Sequence, residues 1–137
     1  MITTLLTSDP IDVATFAQVV QSPDFGAVVT FSGNVRNSDG GKVVRTLIYE
    51  IHPSAEQVLR DIVTEVANDP ELGSVAVAHR YGEIPIGESA FVVAVSAAHR
   101  GPALATCSLL VEEVKARLPI WKHQLFADGT DEWVNSA

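Results

Sequence analysis

Residues 96–123 read SAAHRGPALATCSLLVEEVKARLPIWKH: a strand end, a turn, a long helix and the start of another strand in one run. The apolar segment 90–98 feeds into it and stops at His99-Arg100. That segment is apolar at nearly every position, which predicts a central strand covered on both faces. Gly101-Pro102 turns the chain, and proline suits the first turn of a helix. Over residues 103–118, Ala103, Cys107, Leu110, Val111, Val114 and Leu118 recur at helical spacing and form one stripe. Pro119 stops the helix.

The same stretch is a basic island. It holds Arg100, Lys115, Arg117 and Lys122 against only Glu112 and Glu113, a formal +2 on a chain whose net charge is −8, so the remainder carries −10. A strand that delivers His99 and Arg100 to a helix N-terminus sets cationic side chains beside free backbone N–H groups, a place to hold a phosphate.

Outward from there, Ser8-Asp9-Pro10 reads as a helix start, with Asp9 as cap and Val13, Phe16, Ala17 and Val20 on one face. Residues 27–36 (AVVTFSGNVR) and 43–51 (VVRTLIYEI) read as strands, expected to pair antiparallel across a flexible loop at 37–41. Gly33 inside the first of them suggests a bulge or a close backbone approach. Residues 53–68 carry a second helical stripe: Ala55, Val58, Leu59, Ile62, Val63 and Val66. Residues 75–81 read as a strand, 82–87 as a connection, and 120–127 with 131–134 as a hairpin around Asp128-Gly129-Thr130. The order αββαββαββ predicts a single α+β domain. Its mainly antiparallel sheet would carry two long amphipathic helices plus an N-terminal helix.

With 137 residues, 47% hydrophobic and 19% charged, the chain is expected to fold as one domain. No segment is apolar for long enough to span a membrane, and the N-terminus has no secretion-signal pattern, so a cytoplasmic location is expected. The acidic balance argues against nucleic acid as a partner. One cysteine forms no internal disulfide, and the four histidines lack zinc-ligand spacing. Cys107, near the centre of the apolar stripe, reads as a buried inert thiol.

Lys115 and Lys122 flank Pro119. They are either two unrelated surface lysines or a pair brought together by the chain reversal. Two close ammonium groups lower each other's proton affinity, so that one can act as base or nucleophile while the other binds an anion. Arg117 flanks the stripe on the other side, where its stem would cover the core edge. Arg36-Asn37, ahead of a glycine-rich loop, can present a guanidinium and an amide to an anion, or simply be exposed. Leu109 falls on the far side of the stripe and would suit a second protein surface.

These segments together resemble the large, catalytic subunit of molybdopterin synthase. The resemblance rests on Thr30-Phe31-Ser32-Gly33-Asn34-Val35-Arg36-Asn37, Leu47-Ile48-Tyr49-Glu50, His79-Arg80-Tyr81-Gly82-Glu83 and Ser96-Ala97-Ala98-His99-Arg100. It continues through Lys115-Ala116-Arg117-Leu118-Pro119-Ile120-Trp121-Lys122 and Trp133-Val134, covering about residues 2–135. It implies a homodimer in which each protomer binds a small ubiquitin-like sulfur carrier whose C-terminal Gly-Gly tail ends in a thiocarboxylate. Two sulfurs pass in turn to cyclic pyranopterin monophosphate, giving the dithiolene of molybdopterin. It further implies Lys115 as the catalytic lysine and Lys122, with Arg117, against the carrier tail. His99 and Arg100 would lie on the substrate phosphate, Arg36 would close the site and Phe31 would stand at its wall. No metal or bound cofactor is implied, because the sulfur arrives on the partner. Departures are Gln124, where several relatives carry Glu, and Val111, where Met is common. The few residues after Trp133 include no base, so no basic C-terminal contribution is expected.

Two other readings stand beside this one. A non-catalytic dimeric module holding a ubiquitin-like tail or a phosphorylated metabolite would need the groove but not the full set Lys115, Lys122, His99 and Arg100. A small regulatory domain sensing a nucleotide would instead bind common nucleotides in titration.

Overall fold

A strand whose neighbouring side chains are all apolar must find cover on both faces, and the architecture is built around one. The computed structural model describes residues 1–135. The chain runs β1 (Ile2–Thr7), α1 (Val13–Val20), β2 (Ala27–Asn34), β3 (Ser38–Asp39), β4 (Lys42–Ile51), α2 (Ala55–Val66) and β5 (Leu72–Arg80). It continues with β6 (Gly82–Ile84), β7 (Ser89–Ala97), α3 (Arg100–Arg117), β8 (Ile120–Phe126) and β9 (Asp131–Val134). β7 lies inside a sheet of order β1-β5-β7-β2, antiparallel except for the parallel β1–β5 pair. From Phe91 onward its apolar residues divide by parity, as successive side chains of a strand must. Phe91, Val93, Val95 and Ala97 join the large core under α2 and α3. Val92 and Ala94 join Ala76, Ala78, Ile11, Phe16 and Val20 under α1. The result is a single α+β domain with helices on both faces of the first sheet.

A second sheet, β3-β4-β8-β9 with β6 also on β4, is antiparallel throughout. β4 alternates between buried and more exposed positions, and its Leu47 and Tyr49 reach the large core. α3 lies on β7 and β2 and packs against α2. Its stripe is the expected one: Ala103, Cys107, Leu110 and Val114 are buried, Leu118 follows at the helix end, and Val111 is half-buried.

Several expectations change. Strand 27–36 does not pair with 43–51. β2 pairs with β7 and β4 with β8, so the two consecutive strands lie in different sheets. The two-sided strand needs neighbours along both edges, whereas one-sided β4 is free to build the second sheet. Residues 37–41 are not a loose loop but a two-residue β-hairpin between β3 and β4. Gly40 (φ 58°) and Gly41 (φ 78°) take the left-handed turn positions that favour glycine. β1 was not foreseen. The helix start is Asp12, not Asp9: its carboxylate accepts from the Ala14 N–H at 3.1 Å, and Pro10 lies before the helix. The bulge suggested by Gly33 is present, as a register shift against β7 between Gly33 and Asn34.

His79 on β5 is fully buried. Its Nδ1 lies 2.8 Å from the Arg80 carbonyl oxygen and so carries the proton, and Nε2 has no hydrogen-bond partner among the described residues. The ring stacks on Phe91 (centroids 5.4 Å apart) and takes Tyr49 edge-on (4.9 Å). Burial, reinforced by the positive charge of Lys115 and partly opposed by the bond to Arg80, lowers its pKa from 6.5 to about 4.

Two expectations follow for stability. Leu110 is fully buried, so Leu110→Ala should cost about 2–5 kcal/mol in urea unfolding with an unchanged m-value. For His79, the unfolded chain takes up a proton that the folded protein refuses between pH 6.5 and about 4. Its contribution is therefore complete above pH 6.5 and lost as the pH falls through that window, by roughly 2–4 kcal/mol. Unfolding free energies measured from pH 7 to 4 should show this slope, and His79→Leu should flatten it.

Candidate active site

The bulge at Gly33 and Asn34 and the glycine hairpin turn β2 away from its sheet and carry Asn34, Val35, Arg36, Ser38 and Asp39 along one side of a cavity. The opposite side comes from Lys115 near the end of α3 and from Lys122 and Gln124 on β8. The back is Tyr49, Leu47, Phe91 and Ala90. The cavity measures about 210 Å³. Lys115 and Lys122 meet here because the chain reverses at Leu118-Pro119, so the last turn of the helix and the first residues of β8 border one space. Of the two arrangements open for these lysines, the convergent one is adopted, and Arg36 faces them.

Cavity electrostatics follow from this convergence. Three cationic side chains and one carboxylate line it. The Gln124 side chain, only 2% exposed, donates from Nε2 to Asp39 Oδ2 at 2.6 Å. That bond, with Lys122 and Arg36 beyond it, holds the Asp39 carboxyl below its usual range despite partial desolvation. Burial pushes the Tyr49 hydroxyl up to about 12, so it remains a neutral donor at the back wall. The set suits an anionic ligand whose reacting end must meet an amine.

The other sequence-predicted residues lie elsewhere. Arg117 is two positions from Lys115, about 200° around the helix. Its guanidinium binds Glu65 on α2 and, at 3.5 Å, Glu113. It fastens α3 to α2 and does not line the cavity. Phe31 lies one layer away: its ring meets Phe91 edge-on at 5.6 Å and faces a separate groove with Val29, Leu104, Cys107 and Val111. Cys107 is buried, and desolvation pushes its thiol pKa up, as befits an inert side chain.

His99 and Arg100 are exposed at the start of α3. His99 occupies the cap position, without a side-chain capping bond. Lys115 lies fifteen positions beyond Arg100 on the helix, roughly 22 Å at 1.5 Å per residue. Within one chain these two ends cannot grip one small molecule.

Sequence reasoning missed Asp39 and the Tyr49 back wall. The Asp-Gly-Gly hairpin signal could have shown that Asp39 is held in a strand beside Arg36. No local signal pairs it with Gln124, which lies 85 positions away. Among the described residues no group of three or more His, Cys, Asp or Glu could hold a metal ion, and no helix is long and apolar enough to cross a membrane.

Known proteins resemble this chain in both sequence and fold. The family description "MoaE protein" matches residues 6–117. The molybdopterin synthase catalytic subunit of Arabidopsis thaliana is 39% identical over 120 residues, which cover 87% of this chain and 61% of that protein. The chain thus spans about three-fifths of that relative's length. The crystal structure of molybdopterin synthase from Staphylococcus aureus superposes with a TM-score of 0.85 at 30% identity, covering 94% of each chain. A chain from the complex of subunits 1 and 2 of molybdopterin-converting factor from Helicobacter pylori shares the fold, with a TM-score of 0.72 at 22% identity over 98% of this chain and 88% of that one. With four-fifths of its length inside the family match and this level of identity, the chain belongs to the MoaE protein family.

Proposed function

We propose that this chain is the catalytic subunit of a molybdopterin synthase. It would transfer sulfur from the thiocarboxylated Gly-Gly tail of a small ubiquitin-like carrier to cyclic pyranopterin monophosphate, building the dithiolene of molybdopterin. The observation that carries the reading is the convergence of Arg36, Lys115 and Lys122 on one cavity. Both reactants are anions, and the reacting tail must be held while charge develops at the attacked carbon. Lys122 holds the thiocarboxylate. Lys115 moves a proton or stabilises the charge at that carbon. Arg36 closes the cavity over the substrate. The small-subunit partner is supported by the Helicobacter pylori fold relative, which was solved as a two-subunit complex.

A homodimer gives His99 and Arg100 their place. They lie too far from Lys115 of their own chain to share its substrate, so they act on the phosphate in the cavity of a second copy. Exposed Leu104 and Leu109 on α3 support a face for that copy.

Reconstitution with thiocarboxylated carrier and cyclic pyranopterin monophosphate tests the catalytic role. Lys115→Ala should lower dithiolene formation by roughly 100-fold or more while carrier binding and melting temperature stay at wild-type levels; near-normal turnover would refute the assignment. The shared site is tested by mixing variants. Lys115→Ala and Arg100→Ala homodimers should each be inactive, and their mixed dimer should regain activity at its one intact site. A mixed dimer as inactive as its parents would put Arg100 and Lys115 in the site of one chain and refute the shared site, and an active Arg100→Ala homodimer would place Arg100 outside the reaction.

A further inference from the structure

The carboxylate of Asp39 stands among three cations, in a cavity read as binding anions, and the proposed reaction assigns it nothing. A negative charge there opposes the ligand, so its presence needs a reason. Asp39 is half-buried on the two-residue strand β3. Its Oδ2 accepts from the buried amide of Gln124 at 2.6 Å, so its orientation is fixed from β8. Within its own chain Arg36, Lys115 and Lys122 are the charged groups lining the cavity with it, and Tyr49 is the titratable group behind them. The Gln124 bond and the two nearer cations keep it ionised well below neutral pH.

We propose that Asp39 is a positioning residue that tempers the cavity's affinity for anionic tails, with Gln124 as the device that aims it. The proposal rests on the sulfur-transfer reading and extends it to release. A reactive tail arrives as a thiocarboxylate and a spent tail leaves as a carboxylate. Both carry one negative charge, so the cavity's cations attract them alike. A cavity lined by three cations and no carboxylate would retain the spent tail, because a group that binds start and end states equally does not speed turnover. One fixed carboxylate lowers the net charge of the lining from +3 to +2 and lets the spent carrier go.

The isosteric change Asp39→Asn tests this cleanly. The Asn carbonyl still accepts from Gln124, so the hairpin stays tied to β8 and only the charge is removed. Two probes are titrated by fluorescence polarisation and by NMR: a labelled peptide ending in Gly-Gly carboxylate, and inorganic pyrophosphate. Asp39→Asn should bind both roughly three- to tenfold more tightly at low salt, with the advantage shrinking at higher ionic strength. In reconstitution its kcat should fall through slow carrier release while KM also falls. The double variant Asp39→Asn/Gln124→Glu returns the charge from the other side of the same hydrogen bond and should restore wild-type affinity. Should the amide variant prove unstable, Asp39→Ser must change affinity in the same direction. Unchanged or weaker binding of pyrophosphate, or a double variant that stays at the Asp39→Asn level, overturns the role of Asp39. A wild-type protein that binds pyrophosphate but not the peptide overturns the carrier reading alone, and one that binds neither overturns both.

Discussion

Burial of β7 on both faces is the constraint on which the rest of the molecule depends. Val92 and Ala94 require α1 on one side, while Phe91, Val93 and Val95 require α2 and α3 on the other. Each apolar side chain removed from water contributes on the order of 1.5–3 kcal/mol, so the strand cannot trade either cover for solvent. α3 therefore lies at a fixed height over the sheet, and Lys115 is delivered to the end of β7 where Phe91 and Ala90 form the cavity's back wall. Core and site share residues: Phe91 and Tyr49 belong to both.

Cationic groups are affordable in this place because the surroundings are arranged to carry them. The histidine behind the wall is held neutral by burial, so it adds no further positive charge near Lys115. Tyr49 likewise stays neutral. The ionised groups sit at the cavity rim, where water still screens them, and apolar or neutral groups fill the layer behind. That division separates the apolar core, which lies in the sheet and helices, from the candidate site, which lies on the margin between the two sheets.

Much of this was legible in the sequence. The α3 stripe, the two-sided β7 and the terminal hairpin follow from periodicity and turn residues, which are local properties. The proline between Lys115 and Lys122 allowed their convergence without deciding it. What was not legible was non-local. The alternation of β4 shows that it has one buried face but not which strand it pairs with, so its partner β8, about seventy positions on, was missed in favour of the neighbouring β2. Ile2–Thr7 becomes a strand only because β5 offers a parallel edge. Arg117 has the composition of a site residue, yet its position around the helix gives it to Glu65. His99 and Arg100 stand beside a helix start, as their spacing indicates, but spacing along a chain says nothing of a distance from Lys115 set by a straight helix.

That helix has one more consequence. α3 runs for 18 residues with no glycine or proline after its first turn, so it behaves as a rigid gauge between Arg100 and Lys115. Inserting or deleting one residue within it would rotate Lys115 by about 100° and shift it about 1.5 Å relative to Arg100, turning the lysine off the cavity while leaving the helix intact. Loops such as the one between β8 and β9 can absorb changes in length; α3 cannot. A substitution along its exposed face leaves that gauge unchanged, whereas a change in its residue count does not.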